Sequence, residues 1–227
     1  MPFGTASPHH AALELSVQMR QRIVSLELAP GSILSRKALQ DYYGVSSTPV
    51  RDMLLKLQED GLVEMVPQSR TIVSLIDLDQ AREAHFLRNS VERAIVVQLA
   101  KRPDPLLIAA LENIVALQEQ HAGSNLTAFA TLDQKFHREL FVSAGMMRLH
   151  AVIRRESMHI DRIRALHLPV GDKVIQILSD HRRIVDRLKA ADPEGAADAL
   201  TGHLSQSIAI AQDLQDKMPA YFRNRGV

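Results

Sequence analysis

The chain has 227 residues, of which 46% are hydrophobic, 23% charged and 4% aromatic, with no Trp and no Cys. That length and apolar content support two sizeable cores, and the scarcity of aromatics favours helices packed through Leu, Ile, Val and Ala. The lack of cysteine excludes disulfides and thiolate metal sites and fits a cytoplasmic protein. No apolar run approaches ~18 residues, so neither a membrane span nor a signal peptide is expected. A net charge of +1 does not mark a nucleic-acid binder. Residues 1–76 hold seven Lys/Arg and seven Asp/Glu, so contact with nucleic acid must rest on where the cations sit.

Met1–His10 is rich in small and polar residues and is expected to lack fixed structure. Ala11–Leu28 follows with Leu15, Met19, Ile23 and Leu26 at helical spacing, and Pro30-Gly31 ends it. Ser35–Tyr43 is a second short helix. Gly44-Val45-Ser46 is a tight turn into a third, which runs to Gly61 with Val50, Leu54 and Leu57 on one stripe. Ser46 suits the N-cap, Pro49 the first turn and Gly61 the position past the last turn. Leu62–Val66 and Thr71–Ile76 are apolar, β-branched runs joined by a turn at Pro67-Gln68-Ser69-Arg70. This order of three helices and a hairpin predicts a winged helix-turn-helix over residues 1–76. The third helix is anchored by its back. It offers Ser46, Ser47, Thr48 and Arg51 from its first turn, as a major-groove reader requires. Arg36, Lys37 and Arg70 are the cations placed to hold phosphates.

Residues 77–227 form a second domain. Asp77 is placed as the N-cap of a long helix, Leu78–Ala100, with Ala84, Leu87, Val91, Ala94, Ile95 and Gln98 along its packing side. Arg88 and Glu92 are spaced i, i+4 on this helix. They make either a surface ion pair or an arginine aimed into a ligand cavity. Further helices are predicted over Leu106–His121, Leu126–Ala144, Met147–Leu166, Lys173–Ala191 and Ala196–Met218, with residues after Pro219 trailing off. About six helices with short breaks and no strand signal predict an antiparallel all-α bundle.

Asp133 and His137 lie i, i+4 on one helix face, His181 sits on the next-to-last helix and His203 on the last. Three imidazoles and one carboxylate from three helices can converge on one ion. Nitrogen and oxygen donors without sulfur suit a divalent metal ion such as Zn²⁺, Ni²⁺, Mn²⁺ or Fe²⁺. The chain has 10 histidines, so a D-x-x-x-H pair can also arise with no metal in mind.

Residues 29–73 resemble the DNA-binding half of the GntR family of bacterial transcription regulators. The carrying segments are LAPGSIL (Leu28–Leu34), GVSSTPVRDMLLKLQEDGLV (Gly44–Val63) and the wing ending in TIV. Ser47 stands where that family usually has Arg, and Arg70 where it usually has Gly. Residues 78–218 resemble the FCD ligand-binding domain of the FadR branch, closest to its six-helix VanR-like group. Asp133-x-x-x-His137, His181 ahead of RRIVDRLKAAD, and His203 carry that likeness, and Met146 departs from the family's usual Asn. The resemblance implies a homodimer that binds a near-palindromic operator in duplex DNA. It implies a divalent metal, Zn first, held by Asp133, His137, His181 and His203. It also implies a small organic acid as effector, with Arg88 as its main contact and His159 and Arg162 as further ones. The expected output is repression relieved by ligand, not catalysis. The alternative is a helical metal-dependent hydrolase using the same four residues.

Overall fold

A computed structural model of the chain describes residues 8–66 and 70–224, with side chains from Ala12. Contacts divide it into two compact units: residues up to Leu78 together with the segment from Leu214, and Asp79–Asp213.

The first unit begins with α1 (Pro8–Val24). Leu15, Met19 and Ile23 are buried, as their spacing requires. The helix stops four residues short of Leu28 because Leu26 takes a left-handed conformation (φ 65°) and Leu28 N–H turns back to Arg22 O at 3.1 Å. β1 (Ile33–Leu34) had no strand signal of its own. α2 (Arg36–Tyr43) is capped by the Ser35 hydroxyl, which accepts from Ala38 N–H at 3.3 Å, and by Gly44 at φ 65°. α3 (Ser47–Glu59) packs on α1 through Val50, Met53, Leu54 and Leu57, and Gly61 at φ 71° turns the chain out of it. β2 (Val63–Val66) and β3 (Arg70–Val73) pair antiparallel with Met65 opposite Thr71, and β1 joins the far side of β3. Arg70 is therefore the first strand residue, not part of the turn. The rest of that turn, Pro67–Ser69, and Met1–Ser7 lie outside the described residues.

Residues 219–224 do not trail off, and 225–227 lie outside the described residues. After a single 3-10 turn at Pro219–Tyr221, Phe222 bridges in parallel to Ile76. Ile76 N–H donates to Tyr221 O and Arg223 N–H to Ile76 O, both at 2.8 Å. Ile76 and Phe222 are buried, and the Arg223 guanidinium reaches Glu64 at 3.0 Å and Asp77 at 3.2 Å. An apolar residue flanked by backbone bonds and two acids explains why this segment is fixed to the wing unit rather than to the domain that precedes it in sequence.

The second unit is a helical bundle of α4 (Leu78–Ala100), α5 (Pro105–His121), α6 (Leu126–Ser143), α7 (Met147–Glu156), α8 (Met158–His167), α9 (Lys173–Lys189) and α10 (Pro193–Ala209). Helix starts follow side-chain caps. Asp104, Asn125 and Asp192 accept from Leu106, Ala128 and Gly195 N–H at 2.9, 3.0 and 2.9 Å. The expected Met147–Leu166 helix is two, broken at Ser157, whose hydroxyl bonds back to Ile153 O at 2.6 Å. The expected last helix likewise breaks at Ile210 before α11 (Ala211–Lys217). The core gathers Ile95, Val96, Leu111, Ile114, Phe129, Phe136, Leu140, Ile184 and Leu200. α4 packs through Ala84, Leu87, Val91 and Ile95 as expected, but its buried face is shifted. Ala94 and Gln98 are exposed, while Arg88 and Glu92 are buried beside Ala84, Ile95 and Val96. A polar pair tolerates that position because each member finds charged partners inside. Among the described residues no helix is long and apolar enough to cross a membrane.

Candidate metal centre and nucleic-acid interface

α6 brings Asp133 and His137 inward one turn apart, α9 brings His181 and α10 brings His203. All four are buried, and one ligand atom from each lies within 4.8 Å of the others. His137 Nε2 and His203 Nε2 are 3.2 Å apart, and Asp133 Oδ1 is 3.5 Å from His181 Nε2 and 4.0 Å from His203 Nε2. Donors held ~2.0–2.2 Å from one divalent ion are separated by distances of this order.

The surrounding groups fix which way each donor points. His137 Nδ1 faces Glu92 Oε2 at 2.7 Å, His181 Nδ1 faces Gln118 Oε1 at 2.8 Å, and His203 Nδ1 faces Asp180 Oδ2 at 3.6 Å. The Glu92 and Gln118 oxygens are acceptors within hydrogen-bond distance, so Nδ1 of His137 and of His181 carries the proton and their Nε2 turn lone pairs to the centre, while Asp180 lies beyond that distance from His203. Arg164 bonds Asp133 Oδ2, which leaves Oδ1 facing the imidazoles. Asp133 Oδ1 and His181 Nε2 are buried and have no hydrogen-bond partner in the protein. Phe136 stacks flat on His181, with ring centroids 3.9 Å apart. The charge states agree. Burial holds His137 down to about 4 and His181 well below the ordinary imidazole value, so both stay neutral. Burial alone would raise Asp133 and Glu92. Arg164 beside Asp133, and Arg88 with the His137 hydrogen bond beside Glu92, outweigh that and hold both acids ionised. Neutral imidazoles and one carboxylate, buried and braced from outside, form a donor set fitted to a divalent cation.

Beside this cluster is a cleft lined by Arg88, Arg164, Lys173, Ile177, His203 and Ser207 among others. Arg88 is not a surface group: its Nε donates to Glu92 Oε1 at 2.6 Å, both side chains buried. His159 and Arg162 are also buried, bonded to each other at 2.9 Å, and they do not line the cleft. Sequence reasoning passed over Glu92 as a brace for His137, and over Gln118, Asp180, Arg164 and Lys173. Asp180 beside His181, and Glu92 one turn from Arg88, were the available signals.

In the first unit Ser46 occupies the N-cap of α3 with extended backbone (φ −71°, ψ 176°), and its hydroxyl makes no capping bond. Ser46, Ser47, Thr48 and Arg51 are exposed together at that end. The Arg51 side chain is 71% exposed, with Asp52 at 3.9 Å. Arg36 and Arg70 are exposed, and Lys37 pairs with Asp41 at 2.8 Å on the surface of α2.

A helix-turn-helix with a wing, followed by a helical bundle around a buried donor cluster, is the build of a two-domain transcription regulator. The comparisons with known proteins agree. Residues 12–73 match the model of the bacterial regulatory proteins of the gntR family, and residues 83–206 match the FCD domain. The chain belongs to the GntR family, with an FCD domain as its second part. It is 32% identical over 203 residues to an HTH-type transcriptional regulator in an unstable DNA locus of Streptomyces ambofaciens, covering 89% of this chain and 84% of that one. It is 27% identical to the HTH-type transcriptional repressor RspR of Escherichia coli, covering 90% of each. The fold matches that of E. coli McbR/YncC with a TM-score of 0.77 at 20% identity, over 89% of this chain and 97% of that one. The family and these relatives are transcription regulators, not enzymes.

Proposed function

We propose that the protein is a metal-containing repressor that binds a near-palindromic operator as a homodimer and releases it when a small organic acid occupies the FCD domain. The observation that carries this reading is the set of three imidazole nitrogens and one carboxylate oxygen turned to a common point beside a cleft lined by cations.

Asp133, His137, His181 and His203 hold a divalent ion, with Zn²⁺ favoured by the histidine-rich set and Ni²⁺, Mn²⁺ or Fe²⁺ also suited to it. When bound, such an ion supplies a Lewis-acidic seat for a carboxylate oxygen. Glu92 and Gln118 keep His137 and His181 in the ligating tautomer, and Asp180 stands behind His203. Arg88, braced by Glu92, offers its remaining donors to the acid from the cleft wall. His159 and Arg162 support α8 from inside in this reading. In each protomer Arg51 reads base edges from the major groove, Ser46, Ser47 and Thr48 contact bases or phosphates, and Arg36, Lys37 and Arg70 hold backbone. Two protomers double those contacts, which a near-neutral domain needs. Control requires the acid to favour one arrangement of the dimer by ~1–3 kcal/mol. The name of the E. coli relative supports repression as the sign.

Fluorescence anisotropy with DNA from upstream of the protein's own gene tests this. The zinc-loaded protein should bind that fragment, and at least one member of a panel of small carboxylates should weaken binding several-fold. A zinc-loaded protein whose binding and melting temperature ignore the whole panel would contradict it.

A further inference from the structure

Three cationic side chains line the cleft, and two are already neutralised. Arg88 pairs with Glu92 at 2.6 Å, and Arg164 bonds Asp133 with Asp161 at 3.6 Å. Lys173 differs. Among the described residues no carboxylate lies within salt-bridge distance of its Nζ, which donates instead to the amide oxygen of Gln206. The residue is only 6% exposed. An ammonium has three donors, and one neutral amide neither satisfies them nor balances the charge. Burial and the neighbouring Arg164 accordingly press its pKa down to about 8, against the weaker pull of Asp180 and Asp133.

We propose that Lys173 is a second anion seat of the effector site, so that the effector carries at least two carboxylates, one directed to the Asp133/His137/His181/His203 centre and one to Lys173. This rests on the proposed function above. The seat is also wired to the centre. Gln206 accepts from Lys173 and donates to Asp180 Oδ2, which faces His203 Nδ1. A carboxylate that takes Lys173 frees the amide oxygen of Gln206. It thereby alters the restraint on Asp180 and His203, linking α9 to α10.

Calorimetric titration of the zinc-loaded protein with acetate, malonate, succinate, glutarate and citrate separates the two levels. The tightest polycarboxylate should bind roughly tenfold or more tighter than acetate. Lys173→Gln should erase most of that advantage, leave acetate affinity within about twofold and leave zinc content unchanged, and Lys173→Arg should restore part of it. If Lys173→Gln keeps the full polycarboxylate advantage while acetate still binds, the second seat is wrong and the metal-and-acid reading survives. If none of the five acids binds the wild-type protein, both fail.

Discussion

The two units place their working residues in opposite environments. In the winged unit the candidate base contacts Ser46, Ser47, Thr48 and Arg51 are exposed and lie within a few residues of each other at the start of α3, with a buried stripe behind them. In the helical unit the donor atoms are buried, come from α6, α9 and α10, and are oriented by Glu92, Gln118, Arg164 and Asp180. A surface reader needs only a stiff helix and free side chains, because water balances its charges until DNA replaces it. A buried donor cluster needs every charge answered from inside the protein, so it recruits most of the bundle.

The sharpest way to separate the units is to damage one and watch the other. Phe222→Ala removes a buried ring that bridges the chain end to Ile76. It should cost ~3–5 kcal/mol of the winged unit's stability in denaturant melts, with metal content of the helical unit unchanged. Loss of metal along with stability would show that the two units fold as one. Arg51→Ala should weaken operator binding by ~1–3 kcal/mol in anisotropy titrations and relax base preference, without moving the melting curve. Equal affinity for operator and scrambled DNA before and after the change would remove α3 as the reader. Arg223→Ala breaks two ion pairs at a half-exposed side chain and should cost less than ~1 kcal/mol. A larger loss would mean that the ion pairs, rather than Phe222, hold the tail.

These contrasts also explain what could be taken from the sequence. α2, the Gly44 turn and α3 are specified by neighbours in sequence, through Ser35 as cap, Gly44 in the left-handed region, and Val50, Leu54 and Leu57 on one stripe. The D-x-x-x-H spacing on α6 was legible for the same reason. β1 was not, since two residues acquire strand geometry only by pairing with Ile72 and Thr71. The burial of Arg88 and Glu92 on α4 was not legible because apolar periodicity assumes charges face water, whereas these two pair with each other inside and Glu92 also meets His137 across the bundle. The break at Ser157 depends on one hydroxyl bond, and the docking of Phe222 on a contact with Ile76, far back in the sequence. Lys173 went unnoticed because its environment comes from Arg164 and Gln206, which periodicity does not bring together.

The central claim is that the buried Asp and His side chains hold a divalent ion. Elemental analysis of the purified protein, set against His137→Ala/His181→Ala, tests it most directly. About one divalent ion per chain in the wild type and almost none in the double variant is the predicted result. The same metal content in both, or none in the wild type after dialysis against zinc, would contradict it.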